Sequence, residues 1–402
     1  MNISQVSIGR FHHFHLARQL EKRGLLAAIY TGYPRFKLLD ETDVPLAKIH
    51  TFPWFQTPFM ARGRIGLDRW EWLNREWAWQ AHQTLDSYVA NRLCRPTVLI
   101  ALSGSGLYSG GRAQQLGGIH ICDRGSSHIR VQDQLLHDEY ARYGLSWSGI
   151  DPRSIAKEEA EYAHADWISV PSQFCYDSFV AQGVTPEKLL KIPYGARLER
   201  FWPTELHQPD DDREFRVLFV GCAGVRKGLL DLLEAFRLFN HPNKRLILIG
   251  GFSSESKALL DSVDQASIES LGSVANADLR EHYSRASVFV LPSIEEGLAM
   301  VIGEAMACGC PIIASTNTGA SELISDAVEG FIVPIRSPRL IADRLQLLAD
   351  NPELRHQMGS AALARVQRLG GWDAYGEAWF AELKRIQESS SVVSWQTTNS
   401  HP

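Results

Sequence analysis

Two short stretches hold the residues best suited to chemistry. In PSIEEGLAMVIGEAMACGCPIIAS an apolar run ends at Leu291, a loop carrying Glu296 follows, and Glu304 lies eight positions further on. A helix starting near Leu298 to Met300 would leave N–H groups without internal partners, so the backbone of Gly297, Leu298, Ala299 and Met300 could approach a diphosphate. Glu304, inside that helix, could accept hydrogen bonds from ribose hydroxyls, while Glu296 in the loop could meet a neutral polyol such as a sugar ring. Complementing the helix dipole is an equally good use of both carboxylates, and the residues alone leave the two readings open.

In FVGCAGVRKGLLDLLEAF, Arg226 and Lys227 stand immediately before a helix, where cations oppose the dipole. A bound anion would resolve that conflict, and a planar guanidinium beside an ammonium could neutralise a leaving diphosphate. Gly221, Gly224 and Gly228 match neither GxGxxG nor GxxxxGK[ST], so dinucleotide and ATP readings lose their usual support. A third loop, CDRGSSHIR, brings Asp123, Arg124 and His128 together; the imidazole could bind a sugar hydroxyl or simply be satisfied by its own loop. His12 and His13, after Gly9 and Arg10, are candidates of the same kind.

Parallel strands alternating with helices are the elements able to hold such loops at one edge. Apolar runs predict strands at 3–8, 26–30, 97–102, 119–122, 167–170 and 190–192, then at 215–220, 245–249, 268–271, 288–291, 311–314 and 330–333. Between the first two runs, Phe14, Leu16, Ala17 and Leu20 recur at helical spacing with Gly24 as the stop. The polar, acidic PTELHQPDDDREF reads as a linker and sets a boundary near Asp211. The expected organisation is α/β: residues 1–210 and 211–371 each form a doubly wound, Rossmann-like domain, 372–388 a helix returning toward the first, and 389–402 a frayed tail.

Composition narrows the class. Forty-one Lys and Arg against 46 Asp and Glu give a net charge of −5, which offers a nucleic-acid partner no basic field. No apolar run approaches the roughly 20 residues of a membrane-spanning helix. The opening MNISQVSIGRFHH lacks a secretory pattern, which leads to an expectation of a cytoplasmic protein. The six cysteines show no zinc spacing and are expected to be reduced. In RGRIGLDRWEWLNREWAWQAHQ, tryptophans and arginines interleave; such a helix either packs between neighbours or lies on an anionic membrane surface.

The stretches 217–235 and 288–323, with IPYGARLERF before the linker, resemble the retaining glycosyltransferases of family four, which have the GT-B fold. Glu296 and Glu304 match that family's E-x(7)-E followed by an EAMACG-like helix, and EEAEYAHADWISVPSQF extends the likeness faintly into the first half. The resemblance implies a hexosyltransferase-type enzyme of polysaccharide or glycoconjugate synthesis, working at the inner face of the membrane. Its nucleoside diphosphate sugar donor would be held by the second domain. A glycan, lipid-linked or small-molecule acceptor would be held by the first, with peripheral membrane contact and no nucleic acid.

It further implies that Glu296 binds the transferred sugar, Glu304 the ribose and Lys227 the diphosphate, with Arg226 as a second cation, His128 in the active-site histidine's region, and Gly221 and Gly9 beside the donor. Two departures stand out: Cys222 replaces an arginine common in the family, and Gly9 is single where two glycines are usual. No DxD pair stands at a strand end, so neither a metal nor a cofactor beyond the donor is expected. A non-catalytic GT-B protein that binds glycans or a partner is the alternative.

Overall fold

The computed structural model describes residues 1–67, 69–204, 214–252, 256, 260 and 266–398. The first domain is a seven-stranded parallel sheet in the order β3-β2-β1-β4-β5-β6-β7. Its strands are β1 (Ile3–Ser7), β2 (Leu26–Thr31), β3 (Ile49–Thr51), β4 (Val98–Leu102), β5 (Ile119–Asp123), β6 (Trp167–Val170) and β7 (Leu189–Lys191). Its helices are α1 (Phe11–Lys22), α2 (Gln56–Ala61), α3 (Glu71–Ala90), α4 (Leu107–Gln115), α5 (Ile129–Arg142), α6 (Pro152–His164) and α7 (Gln173–Ala181).

The second sheet has six strands, again parallel, in the order β10-β9-β8-β11-β12-β13. These are β8 (Phe215–Val220), β9 (Lys244–Ile249), β10 (Ile268–Gly272), β11 (Val288–Leu291), β12 (Ile312–Ser315) and β13 (Gly330–Val333). The described helices around it are α8 (Leu229–Leu238), α9 (Asn276–Arg285), α10 (Met300–Ala307), α11 (Pro338–Asp350) and α12 (Pro352–Leu369).

Both sheets count outward from a central first strand and reverse direction beside it, the doubly wound arrangement that opens a crevice at the strands' carboxyl ends. Strands buried on both faces carry the second core: all four residues of β11 are buried, as are those of β12. β3 is the strand absent from the sequence reading; three residues holding His50 and Thr51 make no apolar run, and pairing with β2 alone defines it. The boundary assigned to Asp211 lies outside the described residues.

A last helix, α13 (Gly371–Thr398), runs through most of the segment read as a tail. Trp372, Tyr375, Trp379, Leu383 and Ile386 share its buried face and join the core around Phe14 and Leu16 of α1. Each such side chain removed from water contributes roughly 1.5–3 kcal/mol, which fastens the end of the chain to the first domain. Lys22–Asp373 at 3.0 Å and an Arg23–Glu377 ion pair edge the contact.

Candidate functional site

The loops after β8, β11 and β5 converge between the domains. The turn of residues 224–229 closes on itself: the amides of Lys227, Gly228 and Leu229 donate to the carbonyls of Gly224 and Val225. Gly228 has φ +69°, and a Cβ there would fall 2.1 Å from the Pro292 carbonyl oxygen, so only glycine lets this turn seat against the β11 loop. Those three amides are therefore not available to a ligand, and the turn's cations are the Arg226 and Lys227 side chains. Lys227 forms an ion pair with Glu296, and an Arg226 Nη lies 3.8 Å from the same carboxylate.

Glu295, which the sequence reading passed over, is fully buried and ties the domains together. It receives Arg226 Nε at 3.0 Å from its own domain. From the first domain it accepts Ser127 N at 3.0 Å, Ser127 Oγ at 2.8 Å, Ser126 Oγ at 2.5 Å and Gln132 Nε2 at 2.9 Å. Burial alone would raise this carboxyl, but Arg226 and the serine donors hold it below its usual value. The signal was present: two tandem carboxylates face two tandem cations, and each cation takes one. Arg226 is thus matched by Glu295 before any ligand arrives.

Gly297 sits at a close approach of the two domains, since a Cβ would lie 2.0 Å from the Gly125 carbonyl oxygen. Ser172 Oγ donates to the Gly297 carbonyl at 2.6 Å. Of the four residues expected to present amides, Ala299 uses its own on Thr318 O at 3.1 Å. Those of Gly297, Leu298 and Met300 meet no backbone carbonyl among the described residues. Glu304 lies one turn inside α10, almost wholly buried, accepting from the Tyr283 hydroxyl at 3.2 Å. Burial raises its pKa, with Arg197 and Tyr283 restraining the rise.

The other sequence candidates are placed differently. His128 caps α5, its Nδ1 accepting from Arg130 N at 3.3 Å, and its ring packs against Tyr162 and Phe179. Burial and the nearby Arg124 push it down to about 4, so it is a neutral imidazole turned into the first domain, while its loop mates Ser126 and Ser127 reach the cleft. Gly9 lies under the Phe11 ring, 2.7 Å from where a Cβ would stand. Arg10 is held by Asp40 and Glu41. Gly221 ends β8 and donates its amide to Ile249 O at 2.8 Å. Cys222 is exposed, and all six cysteines are free.

His12, His13 and Asp123 gather in a metal-ligand pattern. The 2.7 Å between His12 Nε2 and Asp123 Oδ2 is hydrogen-bond spacing, and Ser169 takes the other Asp123 oxygen at 2.8 Å, while both ring nitrogens of His13 are buried without a hydrogen-bond partner.

A second interdomain contact lies away from the cleft. Arg142 and Tyr143 reach Asp231 of α8 at 2.9 and 3.0 Å, and Arg336 pairs with Glu139 at 2.6 Å. Both acids are almost wholly buried.

Residues 205–365 match the family described as glycosyl transferases group 1. The chain is 31% identical over 240 residues to a D-inositol 3-phosphate glycosyltransferase of Kineococcus radiotolerans, covering 52% of this chain and 54% of that protein. It is also 31% identical over 253 residues to a GDP-mannose-dependent monoacylated alpha-(1-6)-phosphatidylinositol monomannoside mannosyltransferase of Corynebacterium glutamicum, covering 58% and 65%. The matches thus span about half to two thirds of these relatives. Among solved structures, sucrose-phosphate synthase of Thermosynechococcus elongatus superposes with a TM-score of 0.69 at 21% identity, over 97% of this chain and 100% of that one. Anabaena HepE in complex with UDP gives 0.68 at 15% identity over 96% and 100%. The fold is GT-B.

Proposed function

We propose that the chain, whose residues 205–365 match the glycosyl transferases group 1, moves a hexosyl unit from a nucleoside diphosphate sugar to an acceptor hydroxyl with retention. The observation that carries this reading is the one-to-one pairing of Arg226 with Glu295 and Lys227 with Glu296 beside Glu304. An arriving diphosphate exchanges partners with Lys227: the ammonium turns to phosphate oxygens, and Glu296 is released to accept from hydroxyls of the transferred sugar. Glu304 accepts from the ribose, and the amides of Gly297, Leu298 and Met300 face the phosphates.

As the glycosidic bond breaks, negative charge grows on the departing diphosphate, and Lys227 with the outer nitrogens of Arg226 stabilises it in a cleft from which the domains exclude water. The buried Glu295 fixes the Arg226 guanidinium so that no reorganisation is needed at that moment. The acceptor enters from the first domain. The printed activities of the relatives make phosphorylated polyols and inositol lipids the first acceptor classes to try, and HepE makes UDP the first nucleotide. No helix among the described residues is long and apolar enough to cross a membrane. Trp54 and Trp72 of the first domain are about 70% exposed, and we read the segment 54–72 that carries them as the part turned to lipid.

The test is the thermal midpoint of the full chain with UDP, GDP, ADP and their sugars, since a ligand of the folded state raises it by mass action. One nucleotide family raises the midpoint, Glu304→Gln weakens that shift, and donor turnover accompanies binding. Binding without transfer or donor hydrolysis would favour the non-catalytic alternative, and no shift with any nucleotide would sink the reading.

A further inference from the structure

A cavity of about 350 Å³ opens beside Met300, walled mainly by α1 and by residues 197–200. Four arginines line it: Arg10, Arg18, Arg197 and Arg200. Two are spoken for, because Arg10 is held by Asp40 and Glu41, and Arg18 by Glu41. Arg197 and Arg200 form no ion pair among the described residues, and the buried Nε of Arg197 has no acceptor. A buried donor with nothing to receive it carries a desolvation cost that a bound acceptor removes.

Two acids share the lining, Asp40, which Arg10 holds, and Glu199, so the arginines outnumber the carboxylates four to two. His15 stacks on Trp372 with ring centroids 3.8 Å apart and planes within 8°. Burial, and then Arg18 and Arg197, press its pKa down to about 2, so it lines the cavity as a neutral ring. Phe11 stands at φ +28°, a backbone region aromatic residues rarely adopt, with its ring exposed at the mouth. Most of the lining belongs to the first domain, and Met300 is the second domain's contribution. Glu304 is one turn beyond Met300 on the same helix.

We propose that this cavity binds an anionic group, a phosphate or carboxylate, of the acceptor, with Arg197 and Arg200 as the cations that receive it. The assignment to the acceptor rests on the donor reading above: the donor occupies the second-domain wall at Lys227 and Glu304, so a group held from the first-domain wall faces it across the cleft. Arginine suits the task because its planar fork meets two oxygens of a phosphate or carboxylate at once.

The experiment uses the full chain saturated with whichever nucleoside diphosphate it binds, and titrates glucose 6-phosphate and glucose as paired probes by calorimetry. Wild type should bind the phosphorylated sugar about tenfold or more tightly than glucose. Arg200→Ala, at an exposed position that leaves folding intact, should remove most of that preference while nucleotide affinity changes less than about twofold; Arg197→Gln should remove the preference as well, with a fall in nucleotide affinity because Arg197 also acts on Glu304. Equal or undetectable binding of both probes by wild type overturns the proposal. So does an equal loss of nucleotide affinity in Arg200→Ala, which would give the cavity to the donor. Failure of the donor reading is separate, since it shows as no nucleotide binding before either probe is added.

Discussion

The two domains fill the space beside their sheets in different ways. Around β4, β5 and α6 the first buries the charged and polar groups Asp86, Lys157, Glu158, Glu161, Arg124 and His120. Arg124 heads a hydrogen-bond network there, donating to Glu158 at 2.7 Å, Ser127 O at 2.9 Å and Gln132 at 2.7 Å. Glu161 accepts from Gly104 N at 2.8 Å, and burial beside Asp86 and Glu158 raises its pKa well above the usual range. The second domain is packed with aliphatic and aromatic side chains, and two of its buried acids, Asp231 and Glu295, are held by first-domain residues. A dry core specifies its sheet through area and shape, whereas a wet one depends on every partner being present. The network reaches the cleft through Gln132, Ser127 and Glu295, so the first domain's interior and the second domain's cationic loop form one connected unit.

The sharpest test of that contrast is acid. His13 and His120 are fully buried in the first domain and His82 partly so, their pKa values pushed by desolvation from 6.5 to about 3, 4 and 4 in the order His13, His82, His120. Each is held neutral in the fold but protonates near 6.5 once unfolded, so the stability present above pH 6.5 is lost as pH falls toward 4, at about 1.4 kcal/mol per pH unit for each histidine. Residues 214–371 contain no tryptophan, so intrinsic fluorescence follows mainly the first domain, Trp202 against Arg280 of α9 being the exception. Between pH 6.5 and 5 that signal should unfold in less denaturant while hydrogen exchange in β8, β11 and β12 stays slow. Equal loss in both would break the comparison.

Next in size, Lys227→Ala should lower kcat/KM by about 10²–10³-fold with the unfolding midpoint unchanged, as expected for a group that acts on developing charge. Unchanged kinetics would remove the lysine from the site. Glu295→Ala should be weaker and of another kind. It leaves Arg226 and the first-domain donors without their acceptor, at about 1–3 kcal/mol, so donor affinity and resistance to proteolysis between the domains should both fall. If Glu295→Ala altered kcat alone, the carboxylate would be a reacting group and not a tie between domains. The smallest effect is expected from Cys222→Arg, an exposed site: about a threefold gain in donor affinity, measured by calorimetry, if a further cation reaches the diphosphate.

Much of this was legible beforehand. The strand runs, the Gly24 stop, the start of α10 and the spacing of Glu296 and Glu304 all express local rules, in which a residue's own type and its near neighbours decide the outcome. The turn before α8 could be read as a loop, but not that the amides of Lys227, Gly228 and Leu229 would be consumed internally, because that depends on the Gly228 backbone closing against Pro292. His128 could be either ligand or cap, and only the packing of Tyr162 and Phe179 around it turned the ring inward.

By itself, then, the sequence determined two parallel α/β sheets, the acidic and cationic loops at their edges and the class of ligand those loops suit, because periodicity and turn chemistry act over a few residues. Tertiary structure decided which charge meets which. Glu295 and Glu296 are chemically identical neighbours, yet one is buried against Arg226, Ser126 and Ser127 while the other pairs with Lys227. Those partners stand 69 and 168 positions away along the chain for Arg226 and Ser127. Hydrogen bonds form or fail within a few tenths of an ångström, and only the meeting of two domains sets distances that fine.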